Sequence, residues 1–173
     1  MLKYLPAYLT TLIIMLVVDI IWLSVLAKPI YQQGIGHLMA SQANLYYASL
    51  FYLIYVFGLV KLAVAPYALL KGIKNSFIAG AGVGFFVYAS YDLTNLALLK
   101  DWPLSLSLLD ITWGTFISGA SAAAGKWVFD RNREHSPTSQ NSARLQSQVS
   151  SQALSQASGQ ALTQASVKAK SRA

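Results

Sequence analysis

The chain has 173 residues, 55% of them hydrophobic and only 11% charged, with a mean hydropathy of +0.46, no cysteine and a formal net charge of +7. A soluble domain has about a quarter of its residues charged, so this chain lacks the polar surface to cover a water-exposed globule, and its length allows one domain. The missing cysteine excludes a disulfide scaffold, a thiolate zinc site and a cysteine nucleophile.

Four stretches are nearly free of charge. Residues 6–27 contain only Asp19, 45–65 only Lys61, 77–99 only Asp92, and 104–129 only Asp110 and Lys126. Each is 21 to 26 residues long, and about 20 apolar residues in a helix cross the ~30 Å hydrocarbon core of a bilayer. The fold class expected is therefore all-α: an integral membrane four-helix bundle over 1–129, with the lipid bilayer as its principal partner. The first stretch reads as a span and not as a cleavable signal, because its apolar run is too long and carries Asp19.

Between the first two spans, 28–44 is too polar to cross and too apolar to be fully wet. Ile35, Leu38 and Met39 share a helical face there, which suggests a short interfacial outer segment. Residues 66–76 form a short basic loop, and Asp101-Trp102-Pro103 a tight turn. Residues 130–173 hold ten Ser, seven Gln and seven Ala, no aromatic residue and a net charge of +4 (six basic, two acidic). Such a segment has too little apolar area to offset its ordering entropy and reads as a disordered cytoplasmic tail.

Lysine and arginine placement sets the expected orientation. Lys3, Lys61, Lys71, Lys74, Lys126, Arg131 and Arg133 fall on one side of a four-span bundle, and Lys28 and Lys100 on the other. The positive-inside rule then places both termini in the cytoplasm. The +7 is mainly topological, with the basic tail adding the rest, and with no basic stripe interleaved with aromatics, nucleic acid is not an expected partner.

Carboxylates inside a bilayer cost on the order of 2.5–3.5 kcal/mol each even on insertion scales, so three of them are the informative residues. Counted from the outer span ends at ~1.5 Å per residue, Asp19, Asp92 and Asp110 all fall roughly 9–12 Å below the outer rim. Asp19-Ile-Ile-Trp22 and Asp110-Ile-Thr-Trp113 place each Asp beside a Trp at i, i+3, and Tyr88, Tyr91, Asp92 and Asn95 form one polar stripe. Trp22, Trp113, Tyr91 and Asn95 supply donors for buried carboxylates. His37, in the outer loop, completes the set of candidate ligand or ion-binding residues.

The expected function is to bind or pass a cation, proton or small polar ligand through this acidic-aromatic layer. Two alternatives stand beside it: a structural or assembly subunit whose aspartates only lock the helices, and a membrane enzyme acting on a lipid or isoprenoid. No catalytic residues, resident metal or cofactor are assigned. The absence of arginine before Arg131 removes the guanidinium fork that lipid-phosphate chemistry favours. Gly80, Gly82 and Gly84, with Gly114, Ser118, Gly119, Ala122 and Gly125, read as close-packing helix faces, which leave room for a homo-oligomer.

The strings Ala89-Ser-Tyr-Asp-Leu-Thr-Asn-Leu-Ala97, Leu99-Lys-Asp-Trp-Pro103 and Asp110-Ile-Thr-Trp-Gly114 resemble the bacterial membrane-protein family filed as domain of unknown function 2177. Asp19-Ile-Ile-Trp-Leu23, Tyr31 with Gly36-His-Leu38, and Phe51-Tyr-Leu-Ile-Tyr-Val-Phe-Gly58 extend the likeness from about Leu5 to Phe129. The resemblance implies a small membrane protein of the bacterial envelope and supplies no activity.

Overall fold

A computed structural model of the chain describes residues 2–134 and 145–152, and every regular element among the described residues is helical. The chain divides into two compact units, residues 1–131 and 132–173.

In the first unit, a single turn over Leu2–Tyr4 leads into α1 (Leu5–Ile21), where Pro6 occupies the first turn and so sacrifices no intrahelical donor. The chain stays helical through a wider π-type turn, Trp22–Ala27, into α2 (Lys28–Ile35) and a tight turn Gly36–Leu38. Asn44 caps α3 (Leu45–Leu59), its side-chain oxygen accepting from the backbone N–H of Tyr46 and Tyr47 at 3.1 and 3.4 Å. A second π-type turn, Val60–Val64, and the turn Ala65–Tyr67 come next. Gly72, at φ +91°, reverses the chain into α4 (Lys74–Leu98). Asp101, at φ +62°, makes the tight turn expected before Pro103 and α5 (Leu104–Glu134).

Three helical stretches are long and apolar enough to cross a membrane: Leu2–Val25, Leu45–Tyr67 and Lys74–Leu98. They match the first three expected spans to within a few residues. Large apolar side chains stand outward along them, among them Ile13, Ile20, Ile54, Phe57, Phe86 and Leu93. So much unpartnered apolar surface fits lipid and not water.

α5 differs. Its 31 residues would reach ~46 Å, ample for a crossing, but Ser105, Ser107, Asp110, Thr112, Thr115, Ser118, Ser121 and Lys126 make it the most polar of the long helices. The reason is its position. Leu106, Ser107, Asp110, Ile117, Ser118, Ser121, Ala122 and Lys126 are all buried, because α5 packs against neighbours on most of its faces and leaves only a stripe through Leu104, Leu108, Phe116 and Trp127 outward. Gly80 and Gly84 of α4 lie against Ser118, Gly114 and Ala122, and Gly125 lies against Ala7 and Thr11 of α1. The Tyr55 hydroxyl of α3 hydrogen-bonds Ser118 Oγ at 2.7 Å. A helix facing neighbours on most sides needs little apolar surface for lipid.

At the far end of α5, Lys126 is fully buried. Its ammonium donates to the Leu70 carbonyl at 2.7 Å and to the Asp130 carboxylate at 2.5 Å, tying the loop before α4 to α5. Residues 130–134 continue α5 rather than opening a tail. In the second unit 145–152 are helical. The remainder of the expected disordered tail, 135–144 and 153–173, lies outside the described residues.

The outer segment also departs from expectation. Ile35 is buried whereas Leu38 and Met39 are exposed, so the three do not share one face. The helix ends at Ile35, and the tight turn sends Leu38 and Met39 in another direction. A Cβ on Gly34 would come within 3.1 Å of the Pro103 ring, so α2 is seated on the start of α5.

Candidate functional site

The polar layer is assembled from five helices. Asp19, buried on α1, accepts hydrogen bonds from the Trp113 indole N–H at 2.9 Å and the Tyr52 hydroxyl at 3.2 Å. The Asp–Trp spacing at i, i+3 therefore works differently from expectation. Asp19 is held by the Trp of α5 and not by Trp22, which lies just beyond the end of its own helix. Trp22 instead stacks on Trp113, with ring centroids 4.1 Å apart and planes 9° from parallel. Its own indole N–H has no hydrogen-bond partner. Stacking fixes the Trp113 plane, which in turn aims its N–H at Asp19.

Asp110, three residues before Trp113, is buried and accepts a hydrogen bond from the Tyr31 hydroxyl of α2. Burial, with Asp110 alongside, pushes the Tyr31 hydroxyl above the ordinary phenol range, so Tyr31 remains a proton donor at physiological pH. The seat of Gly34 on Pro103 and this hydrogen bond make α2 a cap over the first turns of α5.

Asp92 has neither kind of support. Its side chain is 0% exposed and, among the described residues, neither carboxylate oxygen has a hydrogen-bond partner. Its polar neighbours are the Trp102 indole N–H, which donates to Ser107 Oγ at 3.0 Å, the Ser107 hydroxyl, whose own O–H that bond leaves free to turn towards the carboxylate, and Asp110 within electrostatic reach. A buried carboxylate without a hydrogen bond and within electrostatic reach of a second carboxylate is among the costliest arrangements a protein can hold. It is tolerable when a proton or a cation is shared there.

The remaining expected residues divide. Asn95, one turn beyond Asp92, has an unpartnered side-chain N–H₂ and lies beside the Tyr91 hydroxyl. Tyr91 is 56% exposed and meets Trp102 edge-on at 6.0 Å, so it sits on the rim and not within the layer. His37 is exposed on the tight turn after α2. Among the described residues no three His, Asp or Glu side chains gather closely enough to hold a metal ion.

Further participants were not assigned from the sequence. Tyr31, Tyr52 and Tyr55 bond to Asp110, Asp19 and Ser118, and Trp102, in the turn before α5, is half-buried and donates to Ser107. Tyr52 and Tyr55 lie three apart on one face of an apolar span, a signal of the same kind as the Asp–Trp spacing. Tyr88, part of the expected stripe, lies within electrostatic reach of both Asp19 and Asp110. Its ring occupies the notch that a Cβ on Gly114 would fill.

The chain matches a protein-family model described as predicted membrane protein (DUF2177) over residues 4–127. No curated protein and no solved structure matches it.

Proposed function

The chain belongs to the DUF2177 family of predicted membrane proteins, and we propose that it binds and passes a proton or small monovalent cation at the Asp92–Asp110 pair. The observation that supports this reading is the fully buried carboxylate of Asp92, both oxygens without a hydrogen-bond partner among the described residues, within electrostatic reach of Asp110. Of the three aspartates, Asp19 has two hydrogen-bond donors and Asp110 one, so the unsatisfied capacity is concentrated at Asp92. Asp19, with Trp113, Trp22 and Tyr52, fixes the relative positions of α1, α3 and α5 around the pair. Tyr31 brings α2 over it and covers its outer approach.

The membrane topology that goes with this reading has four spans, α5 being the fourth, with both termini in the cytoplasm of a bacterial inner membrane. The pair then lies in the outer half of the bilayer beneath α2. Intramembrane carboxylates in such positions form proton relays and cation paths.

The test is flux into proteoliposomes of the full chain, followed with an entrapped pH-sensitive dye under an imposed potential, and with a sodium-sensitive dye in a parallel series. The parent chain should admit one of the two ions faster than empty vesicles. Asp92→Asn and Asp110→Asn should each reduce that excess by about a hundredfold or more, the lower end of the weight of a positioned proton-transfer group. Asp19→Asn, which keeps an acceptor for Trp113, should retain it. Parent vesicles no leakier than empty ones, or equal flux in all three variants, would overturn the proposal.

A further inference from the structure

At the end of the first unit remote from the aspartates, α1 begins and α3 ends side by side, and a groove of about 540 Å³ lies between them. The volume falls within the ~300–1,000 Å³ range of ligand pockets. Leu5, Tyr8, Phe57 and Val60 form its walls, and Lys61 and Ala65 lie at the margin where α3 gives way to the π-type turn. The Tyr8 hydroxyl is already donated to the Leu53 carbonyl at 3.2 Å, so that wall presents only its ring. Lys3 holds its ammonium over the Tyr4 ring, 5.1 Å from the centroid, and Tyr4 also borders the groove.

The combination is an apolar trough with Lys61 in its lining and Lys3 over the bordering Tyr4 ring, at the adjoining ends of two stretches long and apolar enough to cross a membrane. Lys61 is the only charge in its span and is exposed. Its position on a π-type turn is notable, because such turns in helices occur frequently at functional sites. Basic pockets between membrane helices bind the headgroups of anionic lipids, and an acyl chain needs an apolar trough below the headgroup.

We infer that this groove is a binding site for one anionic phospholipid, with an acyl chain between α1 and α3 and the phosphate held by Lys61 and Lys3. The site is distinct from the Asp92–Asp110 pair and stands whatever that pair does. Charge selects the occupant: a zwitterionic lipid has its own cation near the phosphate and gains little from the two lysines.

The full chain, reconstituted in vesicles of equimolar phosphatidylglycerol and phosphatidylcholine and then extracted in mild detergent, should retain phosphatidylglycerol in preference, at about one molecule per chain by mass spectrometry. Lys61→Gln should lower the retained phosphatidylglycerol-to-phosphatidylcholine ratio about fivefold, the weight of one interfacial lysine. Lys74→Gln removes the same charge from the start of α4 and should leave the ratio unchanged. Ala65→Phe should lower retention of both lipids by filling the groove margin. Helical circular dichroism on each variant separates a lost site from a lost fold, and the Lys61→Gln and Lys74→Gln pair decides the matter if Ala65→Phe misfolds. No retained lipid in the parent chain, an unchanged ratio in Lys61→Gln, or an equal fall in Lys74→Gln overturns the inference.

Discussion

Asp19 and Asp92 are the same side chain, both buried, and they should respond oppositely to removal. Asp19 accepts from Trp113 and Tyr52, so Asp19→Ala leaves two buried donors without an acceptor. Each unsatisfied donor costs about 1–3 kcal/mol, and the stacked Trp22–Trp113 pair holds the indole where it is, so relaxation recovers little. Asp92 has the Ser107 hydroxyl and Trp102 indole as neighbours but no hydrogen bond of ordinary geometry to lose when it is replaced. Replacing a buried, unsatisfied polar group by an apolar one of similar volume is neutral or stabilising. Asp92→Leu should therefore unfold at the same or higher denaturant than the parent in mixed-micelle titrations, while Asp19→Ala unfolds clearly earlier. A loss of stability in Asp92→Leu equal to that in Asp19→Ala would mean that Asp92 is a structural residue with a partner of its own. That outcome would also remove the physical basis for an ion site at the pair.

At the scale of helices, the contact between α4 and α5 is decided by glycine. A Cβ on Gly84 would overlap the Gly114 carbonyl and come within 2.6 Å of the Ser118 side chain, and one on Gly80 would meet Ala122 Cβ at 2.7 Å. Two residues from either, Gly82 faces open space. The three glycines look alike in the sequence Gly80-Ala-Gly-Val-Gly84, yet only two touch a neighbour, because a helix returns to the same face every three to four residues. Gly84→Ala should destabilise by about 1–3 kcal/mol, as overpacking does when backbone must move. Gly82→Ala should be neutral or stabilising by up to about 1 kcal/mol, from helix propensity alone. Thermal unfolding of the two variants in one detergent reads the difference directly, and equal melting points would remove Gly84 from the interface. The same close approach lets Tyr88 lie in the notch over Gly114, so helix packing and the polar layer share one set of small residues.

For the molecule as a whole, hydropathy carried most of the fold, since three spans and the turns between them are located by where charge is absent. The carboxylates were legible for the same reason: a charge amid 20 apolar residues is conspicuous. Their partners were not, because Tyr31, Tyr52 and Trp113 reach Asp110 and Asp19 across helices, and periodicity within one helix is blind to neighbours. The fourth stretch is the least apolar because it is the most enclosed, and so hydropathy is a weak guide to whether α5 crosses the bilayer. The chain has no cysteine, which makes single-cysteine labelling a direct measure. With four spans and cytoplasmic termini, Ser41→Cys and Lys100→Cys react with a membrane-impermeant maleimide in intact cells. Lys3→Cys, Leu69→Cys and Arg131→Cys then react only after permeabilisation. Lys100 and Arg131 flank α5, so their labelling on opposite sides is the signature of a crossing, and labelling of both in intact cells would leave α5 uncrossed. An α5 that did not cross would place Asp110 outside the hydrocarbon. The carboxylate pair would then be a feature of the surface and no longer an intramembrane site. The topology of this one helix therefore decides whether Asp92 and Asp110 lie on a path through the membrane.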